Sequence, residues 1–218
     1  MKVNPPHARN FNKFYHVNND SDSFTHGFKV LYSNVDSLLN KRNELKCIIK
    51  DEDYDILLFT EILPKNCKNV CSSELSIDNY VLFTSSLNTG RGVAIYINEK
   101  WKASTDDSLM AEEPESVWCK IRLRGSDNLL VGNVYRSPNS TSENNSKLNE
   151  LLLKAVNTNN THVLITGDFN FKDINWNMKQ CDINDETQSA FIETINDCYL
   201  YQHVKEDKPG KRTKKKVV

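Results

Sequence analysis

The stretch "LITGDFNF", residues 164–171, places a carboxylate and an amide where an apolar run ends. Asp168 and Asn170 flank Phe169, and Gly167 would let the backbone turn tightly just before them. An acid at the end of a buried strand can orient or deprotonate a water molecule, and a neighbouring amide can fix the geometry of that water. These residue types therefore indicate a site at which water is prepared for attack on a substrate.

Three other apolar runs also end in polar side chains. "FKVLYSN" ends at Asn34, "DILLFTE" ends at Glu61, and "NLLVGNVYRSP" contains Tyr135 and Arg136 near its end. The oxygens of Glu61 and Asn34 suit Mg²⁺, which takes one or two carboxylates together with waters and substrate phosphate. Tyr135 would donate a hydrogen bond to a phosphate oxygen, and Arg136 would add positive charge. The combined set predicts metal-assisted phosphodiester hydrolysis.

Each of these residues, taken alone, also has an ordinary structural explanation. Asp168 and Asn170 are typical of an Asx-turn, and Asn34 is typical of a helix cap. Glu61 would then be a surface carboxylate, and Tyr135 a half-buried side chain with a solvated hydroxyl. Their occurrence at four successive strand ends favours a common site, because several strand ends of a layered α/β protein can converge on one rim.

Alternating elements would have to position these side chains. Hydrophobic patterning predicts strands over residues 28–34, 55–61, 80–86, 92–98, 116–123, 128–138 and 162–170. It predicts helices in residues 36–50, 148–156 and 186–200, with Asp36 or Ser37 as N-cap of the first. Strands and helices alternate at both ends of the chain and strands dominate its middle, so we expect a layered α/β sandwich.

Composition limits the class of protein. The chain has 218 residues, 38% of them hydrophobic, which suits one large domain. It contains no apolar run of about 18 residues and no visible signal peptide, so we expect an intracellular protein, nuclear or cytoplasmic, without a membrane span. The six cysteines are then expected to be reduced. "CKNVC" at 67–71 has a spacing that suits zinc, but it lacks a second Cys/His pair, so ordinary thiols are expected.

Charge and polarity divide the chain into three parts. Residues 1–27 are polar and aperiodic and are predicted to form a flexible arm, followed by a compact domain over residues 28–204 and a basic tail over 205–218. Residues 208–216 hold six Lys or Arg and no acid, so a net charge of −1 for the whole chain leaves −7 for the rest. Binding of nucleic acid by so acidic a body would need a local basic face.

The motifs resemble the endonuclease/exonuclease/phosphatase superfamily, in the form found in the endonuclease domains of non-LTR (LINE-type) retrotransposons. "SNVDSLLNK", "DILLFTE", "GRGVAIYI", "VYRSPN", "GDFNFKDINW" and "LYQHV" follow in that family's order over residues 28 to about 204. The resemblance implies a four-layer α/β/β/α sandwich. It also implies Mg²⁺ or Mn²⁺ held by Asn34 and Glu61, phosphate at Tyr135 and water at Asp168 and Asn170. DNA would be the substrate, and the reverse transcriptase part of a longer polyprotein would be a partner.

The carboxyl end departs from the family pattern. Family members continue with a Thr-Arg segment, an "LDL"-type strand and a Ser-Asp-His, whereas this sequence ends in "QHVKEDKPGKRTKKKVV". We therefore expect one sheet to lack its last strands and to leave an exposed edge. None of the five histidines matches the family's terminal His in context. A missing acid/base or electrostatic group would cost about 10²–10⁴ in rate.

Three functions are compatible with these observations. The first is a Mg²⁺-dependent endonuclease weakened by the missing segment. The second is a catalytically inactive form of the fold that binds nucleic acid or protein. The third is a phosphatase of the same superfamily, which the pairing of "VYRSPN" with "GDFNFKDINW" disfavours.

Overall fold

The computed structural model describes residues 14–16, 27–65, 70–85, 87, 90–109, 114–176, 180–181, 185–203 and 216–217. Its strands are β1 (Phe14–His16), β2 (Lys29–Asn34), β3 (Ile56–Thr60), β4 (Tyr80–Thr84), β5 (Val93–Asn98), β6 (Ala103–Thr105), β7 (Glu115–Arg122), β8 (Asn128–Tyr135), β9 (His162–Asp168) and β10 (Lys216–Val217). Its α-helices are α1 (Arg42–Asp51), α2 (Ser142–Val156) and α3 (Glu186–Asp197). Short 3₁₀ turns cover Leu39–Lys41, Ser72–Leu75 and Asp107–Leu109.

The strands form two five-stranded sheets. Sheet A has the order β1-β2-β3-β5-β4, and sheet B has the order β10-β9-β8-β7-β6. Each sheet contains one parallel pair, β2 with β3 in sheet A and β8 with β9 in sheet B. The chain crosses between the parallel partners through α1 in sheet A and through α2 in sheet B. Such crossovers are what parallel neighbours require, because a tight hairpin can join only antiparallel strands.

Three apolar layers hold the sheets and helices together. Inward-facing residues such as Ile95 and Val131 fill the space between the sheets. Leu45 of α1 packs on the outer face of sheet A. Leu152 of α2 and Phe191 of α3 cover the outer face of sheet B. The four-layer α/β/β/α sandwich predicted from the sequence is thus confirmed.

Several local predictions need correction. Asp36 and Ser37 do not cap α1: both have positive φ angles, 42° and 86°, and a 3₁₀ turn separates them from the helix, whose N-cap position is Lys41. The short strands β1 and β10, which were not predicted, lie within the stretches interpreted as the arm and the basic tail. The short strand β6 was not predicted at all.

The edge of sheet B next to β9 is only partly covered. The sequence analysis expected one sheet to lack its last strands, and β10 pairs with β9 at two positions, Lys216 opposite Gly167 and Val217 opposite Thr166. The pairing covers only these two positions of the seven-residue strand. Hydrogen bonds of the β-ladder depend on backbone groups, so even a lysine-rich segment can supply them.

Among the residues described, no helix is long and apolar enough to span a membrane. The five cysteines that fall within the described residues are all free thiols. Cys67, half of the "CKNVC" pair, lies outside the described residues.

Candidate active site

The carboxyl ends of the two parallel pairs meet at one rim of the sandwich. Asn34 ends β2 opposite Thr60, the last residue of β3, and Glu61 follows directly. In sheet B, Tyr135 and Asp168 are register partners at the ends of β8 and β9. The carboxyl ends of parallel strands point the same way, and the register of these two pairs brings them level, so each sheet delivers two of the predicted residues to one edge.

Side chains from both sheets come together at the rim. Asn34 Nδ2 donates a hydrogen bond to Asp168 Oδ2 at 3.2 Å. Tyr135 of sheet B lies close enough to Glu61, which follows a strand of sheet A, for that carboxylate to raise the pKa of its phenol. Glu61 and Asp168 therefore share one side of the molecule. The structure brings the predicted residues together, although the chemical role of each remains a prediction.

Tyr135 is a neutral hydrogen-bond donor over the physiological pH range. Burial raises the pKa of its phenol most strongly, and the negative charges of Glu61 and Asp168 raise it further. Arg91 acts in the opposite direction but does not reverse the shift. A phenol that keeps its proton can donate to an anionic oxygen, as the sequence analysis predicts for phosphate.

The turn after β9 is held in an unusual conformation. Gly167 has φ 156°, and a Cβ at that position would lie 2.0 Å from the carbonyl oxygen of Val134 on the neighbouring strand. The glycine is therefore required by close strand contact as well as by the turn. Asn170 has φ 52° and its Nδ2 donates to the Arg136 carbonyl at 2.7 Å. Its buried Oδ1 has no hydrogen-bond partner among the described residues, which suits an amide that accepts from a water or substrate.

Arg136 does not fit the predicted phosphate contact. It is 7% exposed, and its Nε donates to Asn145 Oδ1 at 2.7 Å. Its Nη1 donates to the carbonyls of Phe169 and Asn170, each at 3.3 Å. The guanidinium also lies 4.0 Å from the centre of the Phe171 ring. These contacts use Arg136 to brace the turn that carries Asp168 and Asn170, so this prediction is corrected to an indirect, positioning role.

Arg91 supplies the positive charge that was assigned to Arg136. Its Nη2 lies 2.6 Å from Asp36 Oδ1 and 3.3 Å from Glu61 Oε2. The hydrogen bond from Arg91 is the main reason that the pKa of Asp36 lies below its ordinary value. The motif "GRGVAIYI" was recognised in the sequence, but no role was predicted for Arg91. The available signal was a basic residue between two glycines immediately before a buried strand.

The loop that carries Arg91 is fixed by a carboxylate from the opposite sheet. Glu115 of β7 accepts hydrogen bonds from two backbone amides, that of Arg91 at 2.9 Å and that of Gly92 at 3.1 Å. A Cβ at Gly90 would lie 1.2 Å from a Glu115 oxygen, so only glycine leaves room for this arrangement. Glu115 therefore determines where the Arg91 guanidinium can reach.

A buried polar layer lies between the sheets, below the rim. Asn133 of β8 donates from Nδ2 to the carbonyls of Phe59 and Ala94, at 2.9 and 3.0 Å. Its Oδ1 accepts from the Thr166 hydroxyl at 3.2 Å. Tyr32 is fully buried and its hydroxyl lies 3.2 Å from Thr60 Oγ1. Hydrogen bonds of this kind favour one relative position of the two sheets, because a buried polar group without a partner is costly.

The oxygens at the rim fit a hard divalent cation. Glu61 and Asp168 offer carboxylates and Asn34 offers an amide oxygen, which is the ligand chemistry that Mg²⁺ prefers. The described residues contain no group of three or more His, Cys, Asp or Glu side chains suited to a metal ion. Mg²⁺ usually keeps several waters beside one or two protein carboxylates, so this small set of oxygens suits it.

His162, which the sequence analysis did not match to the family's terminal His, lies away from this rim. It begins β9, at the opposite end of the strand from Asp168. His203 is exposed and its ring packs edge-on against Tyr201 at 5.2 Å.

Comparisons with known proteins identify the fold. A family model described as endonuclease-reverse transcriptase matches residues 129–218, which include α2, β9, the Asp168 turn and the basic tail. The structure is similar to the endonuclease domain of TRAS1, a telomere-specific non-LTR retrotransposon, with a TM-score of 0.64 and 16% identity over 87% of this chain and 84% of that one. The chain has the endonuclease/exonuclease/phosphatase fold.

Two further solved structures share this fold. The AP endonuclease LMAP from Leishmania major has a TM-score of 0.57 and 16% identity, covering 78% of this chain and 66% of that one. An AP endonuclease from Archaeoglobus fulgidus has a TM-score of 0.55 and 14% identity, covering 87% and 85%. A search of curated protein sequences found no match. The resemblance inferred from the motifs is thereby confirmed at the level of the superfamily fold and the endonuclease-reverse transcriptase match.

Proposed function

We propose that this chain hydrolyses phosphodiester bonds in DNA with Mg²⁺ or Mn²⁺ as cofactor. The fold supports hydrolysis of the nuclease or phosphodiesterase type in general, and DNA as substrate is the finer part of the proposal. The observation that carries it is the hydrogen bond across the rim from Asn34 to Asp168, with Tyr135 beside the Glu61 carboxylate. We assign metal binding to Glu61, orientation of water to Asp168 and hydrogen bonding to phosphate to Tyr135, all on one edge of the sandwich.

Each rim residue would have a separate role in this reaction. Asp168, with its carboxylate held by Asn34, would accept a hydrogen bond from the attacking water and receive its proton as the new P–O bond forms. The opposite P–O bond would break at the same time, and its oxygen would leave with a proton taken from solvent. The buried Oδ1 of Asn170 accepts the second hydrogen of that water and so fixes its direction. The neutral phenol of Tyr135 donates to a phosphate oxygen. Glu61 and Asn34 would hold the divalent cation, which supplies Lewis-acid stabilisation of negative charge on the phosphate when it is bound.

Arg91 would contribute electrostatic stabilisation next to the cation site. It already contacts Asp36 and Glu61, so its charge is within a few ångströms of the carboxylate that would bind metal. A guanidinium close to a transferring phosphate stabilises developing charge. The family description also motivates a proposal that the chain acts beside a reverse transcriptase within a longer polyprotein.

The direct test is a nicking assay with purified protein and supercoiled plasmid. We expect relaxed, nicked plasmid with Mg²⁺ and none with EDTA. Asp168→Asn should remove the activity, whereas Asp197→Asn, a change of the same chemistry at an exposed residue of α3, should leave it intact. Equal nicking by the wild type and Asp168→Asn would show that the activity does not come from this rim.

A second candidate function is binding without hydrolysis. The position of His162 favours it, because this side chain begins β9, at the end of the strand opposite Asp168, and so does not reach a phosphate at the rim. Retained DNA binding with no Mg²⁺-dependent nicking at high protein concentration would select this function. A phosphatase acting on small substrates would instead release inorganic phosphate from a phosphomonoester and leave the plasmid supercoiled.

A further inference from the structure

The outer face of β7 is covered by helices at one end and carries basic side chains at the other. Trp118 points outward and is buried in the layer formed with α2 and α3. Lys120 and Arg122 follow at the next two positions of the same face, since side chains alternate along a strand. Helices therefore cover the half of the strand nearer the rim, and the other half presents basic side chains.

These basic side chains line a cleft in the surface of sheet B. The cleft has a volume of about 440 Å³ and lies between the start of β6, the end of β7 and the turn before β8. Its polar lining includes Lys102, Ser104, Lys120, Arg122, Asp127 and Asn128. Arg122 and Asn128 are the register partners farthest from Glu115 and Tyr135, so the cleft lies at the end of the sheet opposite the rim.

The cleft has more positive than negative charge. Three cationic side chains line it against the single acid Asp127. Lys120 approaches Asp106 only to 3.8 Å. Lys102 and Arg122 form no salt bridge within the described part of the chain, and both are exposed. This local excess stands out because the chain outside its tail is acidic overall.

We propose that this cleft binds the phosphate backbone of a polynucleotide, as an anchoring site separate from the rim. A guanidinium, two ammonium groups and the Ser104 hydroxyl are donors suited to successive phosphate oxygens. Eight residues of β7 separate the two ends of the sheet, which corresponds to about 23 Å at the usual rise of a strand. The cleft thus contacts nucleic acid at a distance from the reacting bond and carries no sequence information itself.

The experiment measures binding of a fluorescent 30-base-pair duplex in EDTA, so that no hydrolysis is involved. The test variant is Lys102→Gln/Arg122→Gln. The matched control, Lys46→Gln/Lys50→Gln, removes the same charge from exposed positions of α1 on the other side of the sandwich. Anisotropy at several salt concentrations gives the slope of log Kd against log salt, which reports the number of phosphates contacted.

The slope of log Kd against log salt should be smaller by about two for the cleft variant, because each lost phosphate contact lowers it by about one. The control should keep the wild-type slope. Arg122→Lys alone should retain the wild-type slope, because the charge remains. Equal slopes for the two double variants would overturn the proposal. The proposal would also be overturned if calorimetry showed that the wild type binds inorganic phosphate, that the cleft variant has lost this binding, and that its duplex binding is unchanged. The site would then take a free anion and not a polynucleotide. Neither result depends on whether the rim hydrolyses DNA.

Discussion

The two ends of the sandwich differ in how their polar side chains are held. At the rim, Asp168 is 4% exposed and hydrogen-bonded by Asn34, and Glu61 contacts both Arg91 and Tyr135. At the opposite end, Lys102 and Arg122 are exposed and form no salt bridge in the part of the chain described. The rim side chains are held by specific hydrogen bonds and salt bridges, whereas the cleft is distinguished only by its local excess of positive charge.

This difference predicts different responses to substitution. Removing one group from a network of buried hydrogen bonds leaves its partners unsatisfied, so effects at the rim should be large and specific. Exposed charges act through screened electrostatics, so effects at the cleft should be small, additive and dependent on salt.

Asp168→Asn should reduce Mg²⁺-dependent plasmid nicking by about 10²–10⁴-fold, the usual value of a general base. The amide keeps a similar shape but cannot take the proton of the attacking water. Nicking rates at several pH values measure the loss, and the melting temperature checks that the variant is folded. A reduction of less than about tenfold would mean that Asp168 only shapes the turn.

Asn133→Ala should destabilise the protein by about 3 kcal/mol, because it removes donors from two buried carbonyls between the sheets. Urea denaturation of the variant and the wild type gives the difference in unfolding free energy. Asn43→Ala, at an exposed position of α1, should cost nothing measurable. If the two variants unfold at the same urea concentration, the sheets are held in position without Asn133.

Glu61→Gln should remove the increase in melting temperature that Mg²⁺ or Mn²⁺ produces in the wild type. A ligand that binds only the folded state stabilises it by mass action, and about 1 kcal/mol shifts the melting temperature of a chain of this size by about 2–4 °C. Arg91→Ala, which keeps the carboxylate and removes its neighbouring cation, should retain the increase. Persistence of the increase in Glu61→Gln would place the metal elsewhere.

Stability should fall as the pH rises above about 10, the ordinary pKa of tyrosine. Burial raises the pKa of Tyr32 and of Tyr135 in the folded state, so above pH 10 the unfolded chain releases protons first and becomes favoured. The contribution is fully present below pH 10. Urea midpoints between pH 8 and 11 should therefore decline less steeply for Tyr135→Phe than for the wild type. Parallel curves would contradict the raised pKa of Tyr135.

Most strands, the layer architecture and five of the residues at the strand ends were predictable from the sequence. Hydrophobic patterning located most of the strands because both faces of the central strands are buried and their residues are almost all apolar. Asn34, Glu61, Tyr135, Asp168 and Asn170 were recognisable because a polar group at the end of an apolar run is unusual. The short strands β1, β6 and β10 were missed because their sequences carry no apolar pattern of their own.

Which arginine places its guanidinium at the rim depends on contacts between distant parts of the chain. Arg136 follows directly after Tyr135 in the sequence, yet its side chain turns inward to Asn145 and the Asp168 turn. Arg91 is far from Glu61 in the chain, but the Glu115 carboxylate holds its loop from the opposite sheet. The sequence determines which residues end each strand, because that depends on local hydrophobic pattern. Where a long charged side chain points depends on partners from other strands and sheets, and only the folded molecule brings those partners together.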